Sequence, residues 1–132
     1  MISVDRLRSV KEELEVPSGA FTLFALLLRD DAPGVWDLVV SAPWLDRDQH
    51  AGLKRVADVV SAKLAREELV ELSRIVILEA GNPVLEALLS AVNVSGGGVM
   101  RVRDSNLAGL QIKEAFILKA ARPAPEDEAK AS

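Results

Sequence analysis

The chain has 132 residues, 49% of them hydrophobic, a mean hydropathy of +0.18 and a net charge of −4. That length suits one domain with its own core, and so small a charge exerts no strong pull toward nucleic acid or an anionic membrane. With no cysteine, disulfides, thiolate metal sites and cysteine nucleophiles are excluded.

Two further exclusions follow from pattern. No apolar run approaches the roughly 20 residues of a membrane span. Asp5, Arg6, Arg8 and Lys11 interrupt the N-terminal stretch, so it does not read as a signal peptide. The expectation is a cytoplasmic protein with no membrane partner.

Residues 3–15 predict a helix capped by Ser3, with Val4, Leu7, Val10 and Leu14 as a narrow apolar stripe. Val16-Pro17-Ser18-Gly19 predicts its end. Phe21–Leu28, with only Thr22 polar, reads as a strand buried on both faces. Pro33-Gly34 sits at the centre of a predicted type II turn. Trp36–Ala42 then returns as the second strand of a hairpin. Trp36, Leu38, Val40 and Ala42 share one face, and Asp37, Val39 and Ser41 share a face expected to be less buried.

Pro43 stops that strand, and Asp46 with Gln49 matches a capping box. The following helix carries Leu53, Val56, Ala57, Val60 and Leu64 on one side. A break near Ala65-Arg66 and a short helix to Leu72 are expected. Ile75–Leu78 reads as a buried parallel strand, completing a right-handed β-α-β crossover. Asn82 caps and Pro83 opens a helix over Val84–Val92, apolar nearly all round and expected to be well buried. Asn93–Gly98 is a loop. Val99–Arg103 and Leu110–Ala120 are strands joined by Asp104–Gly109.

The order is α-β-β-α-(α)-β-α-β-β. It predicts a single α/β domain over residues 1–121, with α+β as the alternative. A mixed five-stranded sheet would have an N-terminal hairpin, a central β-α-β crossover and a C-terminal hairpin. Residues 122–132 read as a flexible acidic tail by composition.

Catalytic signals are sparse. Ligands in open α/β sheets bind at the carboxyl ends of strands. That rule gathers Ser41, Asp46, Asp48 and His50 after the second strand and Glu79 after the third. Asp104 would join them if the fourth strand ran parallel to the third. Asp46, Glu79 and Asp104 are the metal candidates, with oxygen ligands suited to Mg²⁺ or Mn²⁺ in assisted hydrolysis of a phosphate or amide bond. Capping, turn formation and solvation account for the same residues without a site. Ser41 with His50 lacks the sharp nucleophile turn a triad needs. Ser95-Gly96-Gly97-Gly98 opens a strand, whereas phosphate loops open a helix.

Arg101, Arg103, Lys113 and Lys119 on the terminal hairpin form a small basic face. With Phe116 the hairpin's one aromatic, nucleic-acid binding is disfavoured beside edge protection. Trp36 and Trp44 are interface candidates, Trp44 also reading as a lid over the core. The favoured expectation is a non-enzymatic interaction or assembly module that self-associates, most simply as a dimer, with a further protein partner allowed. It needs no cofactor. The alternatives are the metal-assisted hydrolase or nuclease and a weak nucleic-acid binder acting through residues 99–120.

Overall fold

A computed structural model of the chain describes residues 2–31, 34–95 and 98–122. The turn position Pro33, the glycines 96–97 and the acidic stretch 123–132 lie outside the described residues. The elements run α1 (Val4–Ser18), β1 (Leu23–Arg29), β2 (Trp36–Ser41), α2 (Pro43–Arg47), α3 (Gln49–Lys63), α4 (Arg66–Glu71), β3 (Leu72–Ile77), α5 (Pro83–Ala91), β4 (Met100–Leu107) and β5 (Leu110–Ala120). This is a mixed α and β domain, and the predicted element order holds. No helix among the described residues is long and apolar enough to cross a membrane.

The sheet order is β3-β2-β1-β5-β4. β1 pairs antiparallel with β2 and β5, β2 pairs parallel with β3, and β4 pairs antiparallel with β5. The opening hairpin therefore fills the middle of the sheet, and β3 and β4 are its two edges. Phe24, Leu26, Trp36, Leu38, Val40 and Leu118 face α1 and α3, where Leu7, Val10, Leu14, Val56 and Val60 meet them. Leu23, Ala25, Leu27, Val39, Ala115 and Ile117 face the other way, toward Leu85 and Leu88 of α5 and Leu107 of the curled hairpin tip. Burial of each such Leu or Phe contributes roughly 1.5–3 kcal/mol.

Local chemistry moved several boundaries. α1 runs one turn further than expected and carries Pro17 in its last turn; the Gly19 amide closes on the Glu15 carbonyl at 2.9 Å with φ +116°. Pro43 does more than stop β2. It opens α2 at the first helical position, which draws Asp46 into that short helix. Asp48, not Asp46, caps α3, its Oδ1 accepting from the Ala51 amide at 3.1 Å. The predicted capping box is thus replaced by a single cap two residues later.

The apolar stripe of α3 is also rotated. Leu53 is 39% exposed, whereas Gly52 is buried against Leu45 of α2. A Cβ at Gly52 would stand 2.5 Å from Leu45 Cδ2, so a larger residue there would have to displace the buried Leu45 side chain. On β2 the face expected to be shallow is buried: Asp37 is 4% exposed and Ser41 2%. α5 and the hairpin tip cover that face, and Asp37 is matched by Arg29 Nε at 2.9 Å and Arg74 Nε at 3.2 Å.

β3 begins at Leu72 and is an edge strand with half-buried Ile75, Val76 and Ile77, not the enclosed strand predicted. α5 is amphipathic in context: Leu85 and Leu88 are buried, while Val84, Ala87 and Leu89 are half-buried. β4 continues through Asp104, Ser105 and Asn106 to Leu107, leaving Ala108 and Gly109 as a two-residue turn, both at positive φ.

Candidate functional site

The carboxyl ends of β2 and β3 lie side by side because the two strands are parallel neighbours. α2 and the turn after β3 bring Asp46 and Glu79 together there. The Ala80 amide donates to Asp46 Oδ2 at 3.3 Å, and Gln49 Nε2 donates to Glu79 Oε1 at 2.6 Å. Partial burial, with Glu79 adding repulsion, pushes the Asp46 carboxyl above its ordinary range, while the Ala80 amide opposes the change. Glu79 thus adds to the cost of ionising Asp46.

The other sequence candidates do not converge on it. Asp48 is occupied as the cap of α3. Ser41 is buried at the end of β2, while His50 is exposed in the first turn of α3 and makes no hydrogen bond among the described residues. Asp104 lies within β4, at the opposite edge of the sheet. β4 also runs opposite to β3, so the condition under which Asp104 would join Glu79 is not met. Among the described residues, no three His, Cys, Asp or Glu side chains are arranged to hold a metal ion.

The two tryptophans part company. Trp36 is 6% exposed and packs against Phe116 with ring centroids 5.6 Å apart, so it belongs to the core and offers little to a partner. Trp44 is half-buried. Its ring meets Phe21 edge-on at 5.3 Å and its Nε1 donates to the Gly19 carbonyl at 3.1 Å. It latches α2 over the turn between α1 and β1, as the lid reading requires. Beside it runs a shallow depression of about 520 Å³ bordered by Pro17, Arg47, Asp48 and Lys54.

Sequence reasoning missed two buried carboxylates. Asp37 is held by arginines from both neighbouring strands. Glu68 accepts from the Ser3 amide at 2.7 Å and the Ala65 amide at 2.8 Å, and pairs with Arg6. These amides, with Arg6, hold the Glu68 carboxyl below its usual range. Its place three residues after Ala65, at a helix start, was the available signal.

The sheet edges supply the clearest contrast. β4 presents Arg101 and Arg103, both ion-paired to Glu114 of β5 at 2.8 and 3.4 Å. It also carries the left-handed residue Asp104, φ +48°. β3 has neither charge nor proline between Arg74 and Glu79, and Arg74 is turned toward Asp37. Val70, 74% exposed, stands just before this strand. Comparison with protein-family models, with curated proteins and with solved structures returned no match for the chain.

Proposed function

We propose that the chain is a non-enzymatic interaction module that self-associates as a dimer. The supporting observation is the β3 edge, where Ile75, Val76 and Ile77 form a half-buried β-branched run with no guarding charge. Such an edge is a template for pairing with another strand. The carboxylates that motivated a hydrolase are occupied in the fold, Asp48 by capping and Asp46 and Glu79 by amide donors.

Light scattering across about 10–500 µM tests the reading, because a dimer's population follows protomer concentration. The expected mass is twice the 14.2 kDa of one chain at the upper end. A mass of one chain throughout would defeat it. Titration calorimetry with Mg²⁺ or Mn²⁺ separates the readings further: self-association predicts no binding heat, and metal-assisted hydrolysis predicts some.

A further inference from the structure

We propose that a second copy of this chain adds to the sheet along β3, antiparallel, about a twofold axis that passes beside Val76 normal to the sheet. This rests on the self-association reading and names the surface and register that carry it.

The first argument is backbone polarity. The Leu78 amide donates to the Val40 carbonyl of β2 at 2.9 Å. Main-chain polar groups alternate sides along a strand, so Val76 also turns its own toward β2, and Ile75 and Ile77 turn theirs outward. Among the described residues no hydrogen bond reaches those outward groups from beyond the β2–β3 ladder. Backbone donors and acceptors spaced two residues apart are matched by another strand rather than by an apolar side chain or a helix.

The second argument is self-complementarity. A twofold axis normal to the sheet keeps every side chain on its own face, so paired residue numbers must have an even sum. Centred on Val76, the axis sets Ile75 opposite Ile77 of the second copy, and the reciprocal pair repeats the match. These two pairs supply roughly four inter-chain hydrogen bonds. Val76 meets its own counterpart, and Arg74 lies opposite Leu78. Centring on Arg74 would oppose like charges, and centring on Ile77 would set Ile75 against Glu79. Centring on Ile75 leaves the two Arg74 side chains diagonal neighbours, about 7–8 Å apart. The Val76 register separates them by four positions, about 13 Å.

The third argument is the other edge. β4 is guarded by Arg101, Arg103 and the kink at Asp104, so it does not compete for the second copy.

Because the chain has no cysteine, single substitutions report the register cleanly. Val76→Cys is expected to form an inter-chain disulfide under mild oxidation at least about tenfold faster than Ser73→Cys or Asn106→Cys, because directly opposed residues fall within disulfide reach. Ser73 lies on the same strand but about 20 Å from its counterpart in this register. Ile75→Pro removes an outward amide that the monomer does not use, a place where edge strands tolerate proline. It is expected to keep the native circular dichroism and raise the dimer dissociation constant at least about tenfold.

A dimeric wild type whose Val76→Cys variant cross-links no faster than the controls overturns β3 pairing and leaves self-association standing. So does a folded Ile75→Pro chain that dimerises normally. If that variant does not fold, the cross-linking pattern decides. A wild type monomeric throughout ends both readings and gives the edge to a strand from a different protein.

Discussion

β3 and β4 close the two sides of one sheet, yet they treat their outer edges differently. β4 spends charge and backbone regularity on its edge: Arg101 and Arg103 lean on Glu114, Arg101 lies 5.5 Å from the Phe116 ring centre, and Asp104 sits in the left-handed region. β5 skips a residue at the same level, near Lys113, so both strands change face together and keep their pairing. β3 has a register shift next to Trp36, near its start, and is then regular, with no charge from Ile75 to Leu78. Its arginine points back to Asp37. An edge left open beside one that is guarded is where the proposed second copy would add.

The largest expected effect comes from Asp37→Ala. The carboxylate is buried between Arg29 and Arg74, and removing it leaves Arg74 without its partner and Arg29 with only the exposed Asp31. Urea unfolding at pH 7 is expected to show a loss of about 3 kcal/mol. Arg74 is also freed to swing toward the edge, so β3 comes to resemble β4 and the proposed dimer would weaken. A loss below about 1 kcal/mol would show that the cluster is held by solvent rather than by Asp37.

Asp104→Val attacks the contrast from the other side. A β-branched residue is strained at φ +48°, and the expected destabilisation is about 1–2 kcal/mol. If the strand straightens to relieve the strain, β4 loses its kink, and light scattering should show higher oligomers through the second edge. Unchanged stability would mean the kink is not set by this residue.

The smallest effect is electrostatic and differs in sign between the edges. Asp46, beside the end of β3, is shifted upward from 3.8, chiefly by burial and further by Glu79. The folded state holds its proton more tightly, so this stabilising contribution is present below 3.8 and is lost as pH rises through the shifted value. Glu114, beside β4, is shifted downward from 4.5 by Arg101 first and then Arg103. Its contribution is present above 4.5 and lost as pH falls. Asp46→Asn should therefore gain a few tenths of a kcal/mol at pH 7, and Glu114→Gln should lose a similar amount. Both differences should shrink as the pH is lowered and the two carboxylates are protonated, as urea midpoints at pH 7 and in acid would show. A same-sign response from the two variants would contradict the assignment.

Much of the fold was legible because periodicity and breakers are local. The apolar run Phe21–Leu28 marked the central strand, Asn82-Pro83 marked the start of α5, and Leu110–Ala120 was bounded to the residue. The errors were also local in cause. Asp46 and Asp48 are both competent caps, and Pro43 decided between them by starting a helix early. Leu53 and Gly52 differ by one residue, and the close approach of Leu45 chose which faced inward. Asp104-Ser105-Asn106 has turn composition, but pairing with β5 kept it in a strand.

The candidate site was less legible, because it depends on which strands are neighbours. By itself the chain determined its elements, their order and a mixed sheet of five strands, since each follows from side-chain spacing within a few residues. Only the tertiary structure decided that β3 and β4 lie at opposite edges, that Asp46 meets Glu79 while Asp104 does not, and that Asp37 is buried between two arginines. Those outcomes turn on contacts across the chain: Glu79 lies more than 30 residues from Asp46, and Arg74 lies as far from Asp37. No local pattern encodes such distances, because packing the sheet between α1 and α3 on one face and α5 with the hairpin tip on the other settles them all at once.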